Sequence, residues 1–600
     1  MARTRYQAGP QGTSWQALPA AALRAVLREG YTRTDFRRDL LAGAVVGVVA
    51  LPLSMALSIA VGAPPQNGLY TAIVAGFIVA LLGGSRTQVT GPTAAFVVIL
   101  APIYARFGLP GLLISGALAG VILIAMGLLR LGRFIEFIPY PVTTGFTAGI
   151  GTVIAVMQLK DLFGLRIAGN PEHFLERVIA MGQAAGTVAW PEVTIGAITL
   201  AVLLLWPRVV PRVPAPLVAL PVAAAAALLL PQVWHGFHVA TIANTFETTV
   251  RRAVVHGIPQ MPPMPMLPWL TAGHRYAFPL DFSAFQLILP GAFTIAMLGA
   301  IESLLSAVVA DGLARTRHDP DAELIALGVG NIVTPFFGGI PATGAIARTA
   351  TNVRAGARSP VAAMTHALVI LATMIALAPL IGYLPMASLA GLLLLVAWNM
   401  SEVKHVRRIL RVAPASDVIV LLTCYGLTVF FDMVMAVSVG VGLAALLFMR
   451  RMIEVADTKL TEGEHPELSK PLPAGVFVYD ILGPLFFGAA ETAMAALNQI
   501  ASRARVVILR MEHVPAMDAT GLVALESALE SLAEQKTLAI FTGLRAQPLQ
   551  VLQNAGIVER EGRLLICSDI NTAVEAAERF IGPKITLRET PGSNWRPSGM

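Results

Sequence analysis

Two charged side chains stand where a long apolar chain should have none. Glu302 lies in "LPGAFTIAMLGAIESLLSAVVAD", twelve residues after Pro290 and nine before Asp311. On a helix that is about 18 Å and 13 Å from those residues, close to mid-membrane. A carboxylate at that depth is costly unless it holds a proton or meets a partner. Its chemistry is therefore proton carriage, or else a fixed ion pair or the cap of a broken helix. Arg348 lies in "GGIPATGAIARTATNVRAGARSP", residues 338–360, among Gly, Ala and Thr. A guanidinium there can hold an anion directly or through its field, or it can be a structural charge bonded to carbonyls. Arg354 and Arg358, six and ten residues on, fall about 9 and 15 Å further along a helix and read as interface anchors.

The segment around Arg348 has a counterpart in the first half of the chain. "GGSRTQVTGPTAAFVVILAPI", residues 83–103, has the same plan: a Gly-rich entry, a short extended piece and a helix start. Both contain Thr-Gly, at Thr90-Gly91 and Thr343-Gly344. Corresponding interruptions in two halves point to an inverted repeat with its site at the breaks. At each break, free N–H groups and the positive end of a helix dipole face a cavity, an arrangement that attracts anions.

The rest of the sequence fits a protein that spans the membrane many times. Of 600 residues, 56% are hydrophobic and 13% charged, about half the charge of a soluble protein. Apolar runs begin near residues 40, 69, 93, 110, 138, 192, 215, 288, 324, 347, 360, 385, 416 and 432, giving fourteen crossings, several of them short. Basic clusters recur at Arg37 and Arg38, Arg130 and Arg133, Arg208 and Arg212, Arg315 and Arg317, Arg354 and Arg358, Lys404 to Arg411, and Arg450 and Arg451. With the N-terminus cytoplasmic, all fall on the cytoplasmic side. Arg251 and Arg252 are exceptions, in a long outer loop over 232–285 that its prolines should keep extended or irregular. After Arg451 the pattern changes to alternating strands and helices, a small cytoplasmic α/β domain. The expected plan is an N-terminal segment (1–38), a transmembrane domain (39–452), a linker (453–473), the α/β domain (474–582) and a tail (583–600).

Several functions are excluded. His235, His238, His256 and His274 have no Cys or carboxylate completing a metal set. No nucleophile elbow, phosphate loop or zinc signature appears, so neither an enzyme nor a cofactor is expected. The basic balance follows membrane sidedness, which argues against nucleic acid. Cys424 and Cys567 cannot form a disulfide framework.

"GAPPQNGLYTAIVAGFIVALLGGSRTQVTGPTAAF", "AMLGAIESLLSAVVADG" and "PATGAIARTATNVRAGARSP" together resemble the sulfate permease (SulP) anion transporters. The tail domain resembles their STAS domain. The final spans, "MASLAGLLLLVAWNMSEVKHVRRIL" and "DVIVLLTCYGLTVFFDMVMAVSVGVGLAALLFMRR", resemble DauA-type members, bacterial transporters of succinate and other four-carbon dicarboxylates. The resemblance implies fourteen spans as a 7+7 inverted repeat, with core and gate parts moving against each other. It implies an anion site at Leu53, Leu57, Thr93, Ala347 and Arg348, with Glu302 and Ser306 in the acid and hydroxyl positions. Ala347 replaces a serine found in several relatives. Ile346 replaces a threonine of the sodium-coupled members and offers no oxygen to a hard cation, which leaves protons as the coupling ion. In "MDATGL", Thr520 takes the acceptor position of a phosphorylation loop, though a threonine at a helix start is also an ordinary N-cap. The sequence thus predicts a proton-coupled dicarboxylate transporter of the bacterial inner membrane, with both termini cytoplasmic. It would work as a homodimer among membrane lipid, with a STAS domain open to a cytoplasmic protein. The alternatives are transport of sulfate, bicarbonate or chloride, and an uncoupled anion channel.

Overall fold

Long apolar segments flanked by proline, glycine and charge become helices, because lipid leaves their backbone no other partner. The computed structural model describes residues 19–133, 139–167, 174–210, 213–250, 253–270, 281–431, 433–455, 457–468, 470–486 and 503–582, with four isolated positions in 487–502. The chain divides into two units at Ala444/Ala445, and each is taken by itself.

In the first unit, a short helix α1 (Ala21–Glu29) precedes α2 (Arg33–Val61) and α3 (Pro65–Leu82). The two-residue strand β1 (Thr90–Gly91) then leads into α4 (Ala94–Leu128). Gly108, at φ 65°, breaks α4 into two crossings, with Pro110 starting the second. Next come α5 (Tyr140–Phe163), α6 (Phe174–Gln183), α7 (Trp190–Val209) and α8 (Pro216–Leu229). The second half runs through α10 (Phe282–Ala314), α11 (Pro320–Val333), β4 (Thr343–Gly344), α12 (Ile346–Arg354), α13 (Pro360–Ile381) and α14 (Met386–Met400). It ends with α15 (Val403–Val412), α16 (Ala415–Phe430) and the first part of α17 (Met433–Val455), within which the Ala444/Ala445 division falls. Among the described residues nine helices are long and apolar enough to cross a membrane; splitting α4 at Gly108 and adding the shorter α8, α11, α12 with β4, and α16 accounts for the fourteen segments expected.

The halves meet as the paired interruptions predict. β1 and β4 pair antiparallel, Thr90 opposite Gly344 and Gly91 opposite Thr343. Around them, α2 packs on α13, and α4 packs on α10 and α11. A second group forms from α5, α7, α14 and α16. Small residues let the helices of the first group touch backbone to backbone. A Cβ on Gly120 would stand 2.6 Å from the Gly328 carbonyl, and one on Gly328 would stand 2.6 Å from the Gly120 carbonyl.

Two expectations need correction. α12 ends at Arg354 and Gly356 turns the chain at φ 100°, so Arg358 is not on that helix. Its backbone N–H instead donates to Asp39 at 2.6 Å. The outer loop is partly ordered: α9 (Ile242–Thr245) precedes a hairpin of β2 (Glu247–Val250) and β3 (Ala253–His256), where Thr and Val favour strand over the irregular chain that the prolines suggest. Arg212, Arg251, Arg252 and His274 lie outside the described residues. The basic run from Lys404 to Arg411 belongs to a helix.

The second unit holds a five-stranded sheet in the order β5 (Asp457–Glu462), β6 (Val476–Leu482), β7 (Val506–Arg510), β8 (Leu538–Thr542) and β9 (Leu564–Cys567). All neighbours are parallel except β5 and β6. β5 falls in the expected polar linker; an edge strand can be charged because one side needs no partner. Its helices include α18 (Ala519–Glu534), α19 (Ala546–Asn554) and α20 (Ile570–Ile581). Most of residues 487–502 lies outside the described residues, as does the 583–600 tail. Arg510, buried on β7, holds Asp480 at 3.1 Å, Glu467 at 2.8 Å and Glu512 at 2.9 Å. Burial opposes its charge, but those carboxylates win and keep its pKa above the ordinary value.

The glycine contacts lead to a stability test. Gly120→Val or Gly328→Val should separate α4 from α11, cost about 1–3 kcal/mol and lower the thermal midpoint of the purified protein. Gly426→Val, at a position with open space, should leave the midpoint unchanged. Equal behaviour of the three variants would refute the close contact.

Candidate functional site

Two unwound segments reach mid-chain only because side chains satisfy their backbone. Glu323 accepts from the N–H groups of Gly84 and Ser85, at 2.9 and 3.0 Å, on the approach to β1. On the approach to β4, Asn331 clamps Ala342 through both its N–H and its carbonyl, at 2.8 and 2.9 Å. Asn67 donates to the Gly338 carbonyl, and Thr71 donates to that of Ile340. The Ala345 N–H donates to the Val89 carbonyl, at 2.9 Å, extending the β1–β4 contact.

Both helices after the strands start without a side-chain cap. Thr93 is the N-cap residue of α4 and Ala345 that of α12, and neither makes a side-chain cap bond. Thr93 is the informative one, since a threonine there normally accepts from the helix N–H groups. Its hydroxyl instead donates to Glu302 Oε2 at 2.8 Å. The first amides of α4 are thereby left to another acceptor. Glu302, on α10, is buried and therefore not a bare carboxylate: it has Thr93 as partner and lies within the field of Arg348.

Arg348 is the third helical residue of α12 and is 3% exposed. One guanidinium nitrogen donates to the Pro92 carbonyl, between β1 and α4. The other, Nη1, has no hydrogen-bond partner among the described residues. It lies so close to β1 that a Cβ on Gly91 would stand 2.6 Å away. Arg348 thus bonds a carbonyl through one terminal nitrogen, as a structural charge would, and leaves Nη1 without a partner among the described residues.

The remaining expected residues divide. Leu53 is half-buried and Leu57 buried on α2, which packs against α4 and α12. Ala347 is exposed at the start of α12. Ser306 sits one turn beyond Glu302, and its hydroxyl donates to Thr349 at 3.0 Å. Thr349 also accepts from the Val89 N–H at 3.0 Å, so Ser306 ties α10 to α12 and β1. Thr520 is exposed in the first turn of α18, but it is not the N-cap; Asp518 is, accepting from the Gly521 N–H at 2.7 Å. An aspartate two residues upstream takes that role, which the reading of Thr520 as a cap missed.

Other members of the site had no signal of their own in the sequence. Gln88 on the β1 approach donates to Ser303 at 2.7 Å, and Asn352 on α12 donates to the Thr87 carbonyl at 2.8 Å. Polar residues inside the same broken segments were the available clue. His366 on α13 is fully buried.

Paired strands, two uncapped helix starts, a buried acid and a buried arginine are the features of an anion transporter built on an inverted repeat. The pattern described as "Sulfate permease family" matches residues 36–423, and "STAS domain" matches residues 467–573. The chain belongs to the sulfate permease family and carries a C-terminal STAS domain. It is 39% identical over 538 residues to "Putative sulfate transporter YvdB" of Bacillus subtilis, covering 89% of this chain and 96% of that protein. It is 28% identical to the bicarbonate transporter BicA of a Picosynechococcus strain, covering 88% and 92% of the two chains. The fold matches murine Solute Carrier 26 family member A9 in the inward-facing state, with a TM-score of 0.80, 19% identity and 96% coverage of both chains.

The arginine can be tested by binding. Arg348→Ala should weaken anion affinity of the purified protein by roughly ten- to a hundredfold, the loss of a charged contact of about 1.5–3 kcal/mol. Arg348→Lys should restore part of it, since lysine keeps the charge and loses the fork. Arg354→Ala, at the far end of α12, should have a much smaller effect. Equal losses at both positions would make Arg348 purely structural.

Proposed function

We propose that the chain carries a small inorganic oxyanion, sulfate first and bicarbonate second, by alternating access with proton coupling through Glu302. The observation that carries this reading is the Thr93–Glu302 hydrogen bond beside the uncapped start of α4. An anion bound to those amides would sit next to a carboxylate. In a site of low dielectric the two negative charges repel strongly. A proton on Glu302 removes the repulsion, so anion and proton should enter together. Ile346, the first residue of α12, brings no side-chain oxygen for sodium. Leu53, Leu57, Thr93, Ala347 and Arg348 form the proposed pocket, and Ser306 holds α12 against Glu302.

The choice of anion rests on the relatives. YvdB and BicA, the two similar sequences named above, carry sulfate and bicarbonate in their names, and this favours an inorganic anion over the four-carbon dicarboxylate expected from the final spans. A mid-membrane acid with a hydroxyl partner speaks against an uncoupled channel, which has no need of a proton carrier. The proposal keeps a homodimer in the bacterial inner membrane, with both termini cytoplasmic. It also keeps a STAS domain open to a cytoplasmic protein, with the exposed Thr520 in the acceptor position of a phosphorylation loop.

Radiotracer uptake into proteoliposomes, with sulfate, bicarbonate, chloride and succinate under imposed pH or sodium gradients, tests the reading. Sulfate uptake driven by an inward proton gradient is expected. Glu302→Gln, which resembles the protonated acid, should keep anion binding and lose acceleration by the gradient. Uptake of succinate alone, drive by sodium alone, or an unaltered Glu302→Gln response would overturn it.

A further inference from the structure

α15 lies between two spans and cannot be one itself. Only Ser401 and Glu402 separate it from α14, and only Ala413 and Pro414 separate it from α16. Glu402 turns the chain in a left-handed conformation, at φ 42°, and Pro414 stops the helix at its other end. Links this short hold the helix at the membrane surface.

Its sequence, "VKHVRRILRV", divides by face. Lys404, Arg407, Arg408 and Arg411 follow an i, i+3, i+4, i+7 pattern and cover about 100° of the helix. All four are exposed, and the helix contains no acid. Ile409 is buried on the opposite side, where α15 packs on α5 and α16. Between these faces, Val403 and Leu410 are each 46% exposed. Glu402, the acid just before the helix, is 3.2 Å from His405.

We propose that α15 is an interfacial helix that binds anionic phospholipid headgroups. Exposed aliphatics beside a row of cations match a bilayer edge, with hydrocarbon below and phosphate above. A soluble acidic partner would explain the cations but not the bare Val403 and Leu410. The neighbouring spans put that lipid within reach. Because α15 packs on α5 and α16, bound lipid would hold the α5, α7, α14 and α16 group at a fixed depth. The α2–α4 and α10–α13 group would then be the part free to move.

The test uses the full chain in nanodiscs of equal phosphatidylcholine and phosphatidylglycerol, released and analysed by native mass spectrometry for retained lipid. Wild type should retain phosphatidylglycerol in preference. A Lys404→Gln, Arg407→Gln, Arg408→Gln, Arg411→Gln variant should lose at least tenfold of that preference, each cation contributing up to roughly fivefold. Arg407→Lys, Arg408→Lys, Arg411→Lys should keep it, because a bilayer surface reads charge. Val403→Ser with Leu410→Ser should lower total retention and leave the preference. Should the fourfold variant fail to fold, Arg407→Gln and Arg411→Gln singly should each show a several-fold loss. Unchanged preference in the glutamine variants overturns the proposal. So does displacement of lipid by millimolar glycerol phosphate, which would mark a site for a free phosphate.

Discussion

Unwound backbone inside a hydrocarbon layer has no water to bond, and everything at the centre of this protein follows from that constraint. β1 and β4 solve it by bonding to each other. Their flanks are satisfied by side chains borrowed from neighbouring helices: Glu323 for one approach, Asn331, Asn67 and Thr71 for the other. Once the strands are joined, two helix starts lie side by side at one depth. Neither is capped by a side chain, so the positive ends of two dipoles are available together. The site is therefore a by-product of how the breaks are made tolerable.

That origin explains the positions of the charged groups. Arg348 ties α12 to the Pro92 carbonyl, and Thr93 spends its hydroxyl on Glu302. Each contact links a residue from one half of the chain to one from the other. Binding chemistry and the joint between repeats thus use the same atoms. A substitution that weakens one will disturb the other, and only a measurement that separates affinity from folding can tell which was lost.

The broken segments were legible because Gly, Pro and Thr-Gly interrupt apolar runs at matching places, and Glu302 and Arg348 stood out as charges without water. The direction of a side chain was not legible. Nothing in "GAIART" says that one arginine nitrogen bonds a carbonyl 256 residues away, and nothing near Ser306 says that it serves Thr349. Long-range pairings of this kind depend on register between helices, which periodicity does not encode. Local competition was also hidden: Asp518 takes the cap that Thr520 could have taken, and the threonines and valines before the proline-rich stretch form a hairpin. β5 looked like linker because an edge strand needs little apolar character.

The separation of the two strands along the chain also has a consequence for synthesis. The partners Pro92 and Arg348 are 256 residues apart, which at ordinary rates of synthesis is on the order of tens of seconds. If the first half enters the membrane as it is made, the polar edge of β1 has no strand partner during that interval. Lipid offers it nothing, so the nascent half must keep water or the insertion machinery beside Thr90 and Gly91 until β4 emerges. Assembly of this protein is thus a waiting problem, and codon choice or pausing between the halves would alter its yield without changing a single residue.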